Sequence, residues 1–349
     1  TTGVANPYLL LEPSRTNLIE QSEYYEGAYW STSSTIVTSN STTSPEGLVN
    51  ATKLVPNNGA TGAEISTNNT ANVTSGQKYV FSTFAKAAEF DKIQLDFSDS
   101  RMGDSLVVAD LTNGTITLSG SDNIDQGIEP YGNGWYRIYV VAVAIADGTT
   151  TRKFRLNNNP NGDGTSGIYV YGSQWEAASY PTSYIPTYST SATRAEDFCD
   201  KTNASDVIGQ TEGTIFVEAK IAGDDASNRR MINLSDGTTI NRIEVYAKTS
   251  TSFIELAISN NGIASAVLTS SSVGIDTTFK MAVAYASNDC AFYVNGTLVG
   301  TNSSVIVPST SKITFGRGDG NFLWQGEINQ AQLYKTRLTN AELATLTTI

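Results

Sequence analysis

No histidine occurs anywhere in the 349 residues, and that one absence removes whole classes of chemistry. Ser-His-Asp and Cys-His nucleophilic sites, imidazole acid–base catalysis and His-ligated zinc all need a ring nitrogen that this chain lacks. Carboxylate-only chemistry stays open. Thiols are almost as scarce. Cys199 and Cys290 are the only two, and neither belongs to a C-x-x-C pair. In an oxidising compartment they can form a disulfide; otherwise Cys290 reads as a small buried strand residue. Cations are few as well, 22 Lys and Arg against 34 Asp and Glu, for a net charge of −12. Phosphate neutralisation needs clustered cations, so nucleic acid and anionic membranes are disfavoured as partners. No apolar run approaches the ~18 residues of a membrane span, so membrane insertion is not expected. The opening residues, TTGVANPY, carry neither an initiator Met nor a signal peptide, as a processed or trimmed chain would.

What remains is rich in Ser, Thr, Asn and Gly, with 39 % hydrophobic and 16 % charged residues. That composition is neither disordered nor membranous, and the length suits two domains rather than one core. Apolar residues alternate over short runs, the strand signature. Ile93, Leu95 and Phe97 form one such run, and Val141, Val143 and Ile145 another. Ile215, Val217, Ala219 and Ile221 continue it, followed by Phe279, Met281, Val283 and Tyr285. Asn113-Gly114, Asp147-Gly148, Asp236-Gly237, Asn261-Gly262 and Asn295-Gly296 punctuate the runs with residues that tolerate tight hairpins. The expected fold is therefore all-β, two antiparallel β-sandwiches. One helix is expected: Thr339-Asn340-Ala341-Glu342 matches a capping box, with Leu343 and Leu346 on one face. A polar stretch at 187–212 separates the halves, giving domains over 1–197 and 198–349.

Four segments of the first half carry a family resemblance: YLLLEPSRTNLIEQS at 8–22, GNGWYR at 132–137, GIYVYGSQWEAASYPTSYIPT at 167–187 and ATRAED at 192–197. In this order they resemble the jelly-roll modules, akin to carbohydrate-binding modules, of bacteriophage tail and fibre proteins. The second half resembles the laminin-G-like, concanavalin A-like lectin fold. It does so through FKMAVAYASNDCAFYVNGTLVG at 279–300, ITFGRG at 313–318 and WQGEINQAQLYKTRLTNAELATL at 324–346. Asn329 stands where such relatives commonly carry Asp. The resemblance implies glycan or protein binding at an extracellular or virion surface, alongside other virion proteins, in a homo-oligomer that phage fibres would make a trimer.

A sugar-binding sheet face combines rings, which cover the apolar faces of a pyranose, with planar polar groups that read its hydroxyls. On the strand containing Lys92, Gln94 and Asp96 the three alternate with the apolar set and share a face; Arg155 and Asn157 do so nearby, and Arg137 follows Trp135. Trp175 is the candidate ring, with Gln174 and Glu176 on the opposite face of its strand. An ordinary solvated sheet face accounts for the same alternation. Trp135 reads as a core or rim anchor, and Trp30, near Tyr24, Tyr25 and Tyr29, as either a loop platform or packing. In the second half Arg242, Glu244 and Tyr246 alternate on one face. The loop Gly316–Asn321, with Trp324 after it as a candidate sugar-binding ring, lies where concanavalin A-like folds often bind, and chance plus turn chemistry explains its Arg-Gly-Asp tripeptide more cheaply than a receptor motif does. Calcium is the metal to consider. Asp96, Asp99 and Asp104 lie in one short segment and Asp224-Asp225 in an acidic turn, though solvated acidic turns look the same.

Catalysis is not expected. A retaining hydrolase needs two carboxylates ~5 Å apart, and the alternating Glu-x-Asp-x-x-Glu strand motif of hydrolases on this fold is absent. The leading expectation is a non-enzymatic phage component, a tail fibre or receptor-binding protein that contacts host surface carbohydrate. Two alternatives stay open: a structural or decorating virion protein, and an accessory binding module of a secreted polysaccharide-degrading enzyme.

Overall fold

β-Branched and aromatic residues alternating with polar ones leave one apolar face per strand, and such faces are stable only when two sheets close on each other. The computed structural model describes residues 7–68, 71–156, 161–223, 228–248, 251–317 and 323–349. It divides into two compact units, Arg15–Arg194 and a second built from the stretch ending at Ser14 together with Ala195–Ile349.

In the Arg15–Arg194 unit, the first sheet runs in the order Thr115–Ser119, Leu106–Asp110, Lys92–Asp96, Lys153–Leu156, Glu64–Thr67, Trp30–Ser33. The second runs Asn123–Pro130, Trp135–Val143, Lys78–Ala87, Ile168–Glu176, Val49–Pro56, Thr35–Thr43. Every pairing in both is antiparallel. Ile93, Leu95 and Phe97 pack inward with Phe81, Phe154 and Trp30, as their period of two predicts. Trp30 stacks on Phe154 and its indole donates to the Gln21 carbonyl, so it is packing rather than a platform.

The expectation for Val141, Val143 and Ile145 holds in part: Val141 and Val143 lie in strand Trp135–Val143, and Ile145 lies beyond it. Ile138, Val140 and Ala142 are the inward set, and Ile145 is exposed. Strand Trp135–Val143 is apolar on both faces, because its outer side is itself covered: Val141 packs with Val80 and Ala178. Periodicity cannot choose a face when both are buried.

In the other unit, one sheet runs Leu9–Leu11, Gly326–Tyr334, Glu212–Ile221, Thr278–Ala286, Asp289–Val294, Thr297–Asn302. Its partner runs Cys199–Lys201, Lys312–Phe315, Arg229–Ser235, Arg242–Ala247, Phe253–Asn260, Ile263–Ser272. The N-terminal strand Leu9–Leu11 thus adds to the C-terminal sandwich, pairing with Gly326–Ile328, and Leu11 enters its core. A linear division at 197/198 does not contain that return. Ile215, Val217, Ala219 and Ile221 face Phe279, Met281, Val283 and Tyr285 in one cluster. Asn261-Gly262 and Asn295-Gly296 have positive φ at both residues, the type I′ signature, and each closes a hairpin. The helix Asn340–Leu346 begins at a capping box, Thr339 with Glu342, and buries Leu343 among Phe216, Ala282, Ala284 and Tyr293.

Cys290 is buried and Cys199 exposed, and both are free thiols, so the disulfide alternative is not realised. Burial pushes the Cys290 thiol up to about 12. Among the described residues no helix is long and apolar enough to cross a membrane.

Candidate functional site

The outer face of the first sheet in the Arg15–Arg194 unit holds three of the expected polar residues. Gln94, Asp96 and Arg155 stand together, with Arg155 opposite Gln94 in the ladder. Arg155 Nη1 lies 2.7 Å from Asp96 and its Nε 2.8 Å from Glu64, while Gln94 donates to Asp96 at 3.1 Å. Lys153 approaches the same carboxylate at 3.9 Å. Asp96 is 1 % exposed and Gln94 7 %, so their polar atoms are spent on one another. Asn157 lies outside the described residues.

Trp175 does not join them. It is fully buried, stacked on Tyr79 at 5.2 Å and edge-on to Phe97 at 5.0 Å. The correction follows from a bulge between Tyr171 and Gln174, with Gly172 at a positive φ of 61°, which reverses the facing of the strand's end. A Cβ at Gly172 would come within 3.0 Å of Phe84 and 3.1 Å of Tyr184, so the bulge needs glycine on both counts. Gln174 and Glu176 are structural. Gln174 accepts from the Ile185 N–H at 2.6 Å, and Glu176 accepts from the Thr182 N–H at 3.1 Å and from its hydroxyl. Burial pushes the Glu176 carboxyl upward against those bonds.

These anchors hold segment 177–188 near the outer face of the second sheet, where rings collect. Phe84 contacts Tyr131 edge-on at 4.8 Å, Tyr184 at 5.8 Å and Tyr171 at 6.3 Å. Arg137 lies over Phe84 at 5.6 Å and donates to Ser82 at 3.1 Å. Arg137 is 7 % exposed, so it backs this cluster rather than forming a surface contact. Tyr184 donates to Glu23 Oε1 at 3.1 Å and Tyr188 to Oε2 at 3.2 Å. Burial, then the Glu23 charge, pushes the Tyr171, Tyr184 and Tyr188 phenols upward, so they remain protonated donors. Tyr131 is 55 % and Tyr188 69 % exposed. The result is a ring surface with a carboxylate between phenols, the mixed chemistry a pyranose needs. Twelve of the 17 tyrosines fall in Arg15–Arg194, a density that marks this region in the sequence although alternation does not.

In the C-terminal unit, Arg242, Glu244 and Tyr246 do share a face, but it is closed. Arg230 Nε pairs with Glu244 at 2.9 Å, Arg242 Nε with its other oxygen at 3.1 Å, and the Arg230 guanidinium lies 4.7 Å from the Tyr246 ring. Tyr246 donates to Glu255, which also takes Thr269 at 2.6 Å and Lys248 at 2.9 Å. Trp324 is fully buried in the core rather than presented at the surface, and its backbone N–H donates to the Gly316 carbonyl at 2.7 Å. Arg317 lies over Phe198; the rest of the Arg-Gly-Asp tripeptide is outside the described residues.

The three aspartates proposed for calcium do not converge. Asp96 is bound to Arg155, Asp99 caps the Arg101 and Met102 amides, and Asp104 accepts from Ser121. Among the described residues no group of three or more His, Cys, Asp or Glu could hold a metal. Asp224-Asp225 lies outside the described residues.

Residues 200–344 match the family described as the concanavalin A-like lectin/glucanases superfamily, of laminin-G type. No curated protein matches the chain. Among solved structures, the chain is similar to the CBM40 of Ruminococcus gnavus IT-sialidase bound to alpha2,3 sialyllactose, at 15 % identity and TM-score 0.35 over 40 % of this chain and 84 % of that one. It is also similar to the SAP-like pentraxin of Limulus polyphemus, at 14 % identity and TM-score 0.36 over 48 % and 79 %. A third is domain 4 of AbnA, an extracellular arabinanase from Geobacillus stearothermophilus, in complex with arabinotriose, at 9 % identity and TM-score 0.35 over 44 % and 88 %. The family match lies within the C-terminal sandwich and agrees with its two antiparallel sheets.

Proposed function

We propose that this chain is a non-catalytic glycan-binding protein whose contact surface is the tyrosine face of the Arg15–Arg194 unit. The observation that carries the reading is the exposed pair Tyr131 and Tyr188 joined through Phe84, Tyr184 and Glu23. Solvent-facing rings that do not serve a core are costly to leave exposed, and beside a carboxylate they match a carbohydrate. The lectin-like match of the second sandwich supports the same class of ligand. The sequence contains no histidine, which favours binding over turnover.

The finer reading is attachment of a phage particle to host surface carbohydrate, from the virion surface, as a homo-oligomer. The four motif segments of the first half support it through their resemblance to tail and fibre modules. A shallow face gives roughly 1 mM to 1 μM per site, so several copies held together would be needed for firm attachment. A screen of the intact chain against bacterial surface polysaccharides tests both levels, with released reducing ends measured in the same wells. Binding without release is expected. Dose-dependent oligosaccharide release would overturn the non-catalytic assignment, and no binding to any polysaccharide would favour the structural virion role.

A further inference from the structure

We propose that two copies of this chain associate through one side of the C-terminal sandwich, edge strand to edge strand about a two-fold axis. Each sheet there ends on a strand with one open hydrogen-bonding side: Ile263–Ser272 closes one sheet and Thr297–Asn302 the other. The two edges lie against each other, since a Cβ added at Gly300 would meet Leu268 at 3.1 Å. Further along, a hollow of about 290 Å³ separates them, lined by Thr269, Ser271, Val294, Thr297, Leu298 and Val299. Ile263, at 73 % exposed, and Val267, at 53 %, stand open on the longer strand, and Leu298 is exposed on the shorter one. Exposed Ile306 lies beside them, its carbonyl 3.4 Å from Ser265 Oγ.

A free edge is a template for another strand, and folded proteins guard it with charge, proline, bulges or cover. Among the described residues, the other two edge strands of eight or more residues are guarded. Thr35–Thr43 is uncharged, but Glu26 takes the Ser39 N–H at 2.6 Å and the register breaks between Thr38 and Thr42. Asn123–Pro130 carries Asp125, Glu129 and a terminal proline. Ile263–Ser272 and Thr297–Asn302 contain no charged residue and no proline. The register of Ile263–Ser272 against its neighbour shifts only toward its two ends, so Ala266–Thr269 stays regular. Ten residues at about 3.4 Å each make an edge roughly 34 Å long, enough for a strip on the order of 500 Å² per copy. Charge selects the occupant. With a net charge of −12, two copies repel each other wherever their ordinary surfaces meet. This side is neutral, and any antiparallel register of Ile263–Ser272 with its own copy opposes uncharged residues only. A two-fold pairing also consumes both edges, so it closes at the dimer.

The association needs no glycan, so it is tested apart from the tyrosine face. Sedimentation velocity of the intact chain, from about 1 to 200 μM, should show a monomer–dimer equilibrium with a Kd of about 1–100 μM. Val267 sits mid-strand and so falls near its own copy. Val267→Lys and Ser271→Lys place like charges across the pairing at exposed positions and should each weaken it about tenfold or more. Mixing Val267→Lys with Val267→Glu should restore a dimer, which a misfolded strand would not do. Ile36→Lys, exposed on the guarded Thr35–Thr43 edge, should dimerise as the parent does. A chain that stays monomeric at about 200 μM overturns the proposal and leaves the edge to a strand of a different protein. A trimer, a dimer unaffected by both lysines, or a Lys–Glu mixture that fails to re-form one would overturn it equally.

Discussion

The two sandwiches treat their outer polar faces in opposite ways. In the C-terminal unit Arg230, Arg242, Glu244, Tyr246 and Glu255 consume one another's hydrogen bonds, leaving a closed network. In the Arg15–Arg194 unit the second sheet instead leaves Tyr131 and Tyr188 open to solvent around a Glu23 that already holds two phenols. A closed network specifies a fold; an open ring surface is available to a partner. The comparison teaches that polar alternation on a strand marks a face but says nothing about whether that face is occupied by its own neighbours.

The largest expected effect separates core rings from surface rings. Trp175→Ala and Trp324→Ala should each cost about 3–5 kcal/mol, since both indoles are fully buried. Chemical denaturation monitored by circular dichroism reads this directly, and a loss under about 1 kcal/mol would contradict the buried placement.

Next come the charge networks. Glu244→Ala removes the carboxylate that pairs with both Arg242 and Arg230, whose side chain is only 9 % exposed, and should cost about 3–5 kcal/mol. Asp96→Ala leaves Arg155, which is 41 % exposed, with Glu64 but takes the acceptor from the buried Gln94 amide, so a smaller loss of about 1–3 kcal/mol is expected. Equal losses in the two variants, from urea midpoints at constant m, would erase the distinction between a closed and a half-open network.

A smaller contrast appears with pH. Burial acts to raise Glu255, but the bonds from Thr269, Tyr246 and Lys248 outweigh it, and its folded pKa lies below the usual value. Its contribution is therefore intact above the unfolded pKa and fades as pH falls through the folded one. Glu176 is raised by burial, so its effect has the opposite sign: stability is greatest below the unfolded pKa and declines as pH rises through the folded value. Glu255→Gln should flatten the acid limb of stability against pH, and Glu176→Gln should remove a decline on the other side. Identical profiles for both variants and the parent would count against these assignments.

Much of the fold was legible in the sequence. Ile215–Ile221 and Phe279–Tyr285 alternate legibly: one set enters the core, while the other face mixes Glu218, Lys220 and Lys280 with Phe216, Ala282 and Ala284, which pack with Leu343 of the helix. The hairpin glycines and the Thr339 capping box are local chemistry, which needs no tertiary information. The site was read less well. Trp175 turns inward through the bulge at Gly172, which shifts the facing by one residue, and period-two reasoning cannot detect such a shift. The tyrosine face is assembled from Glu23, Phe84, Tyr131 and Tyr184, brought together by pairings distant in sequence. The return of Leu9–Leu11 to the last sandwich is long-range for the same reason.

The central claim is that the ring surface around Glu23, not the closed face around Glu244, contacts glycan. Titration of the intact chain with a polysaccharide it binds, by isothermal calorimetry, tests this with the Tyr131→Ala/Tyr188→Ala double variant beside Arg242→Ala. Both substituted rings are exposed, so the fold should stay within about 1 kcal/mol of the parent. The account predicts that the double variant loses affinity about tenfold or more while Arg242→Ala binds as the parent does. Unchanged affinity in the double variant, or loss confined to Arg242→Ala, would contradict it.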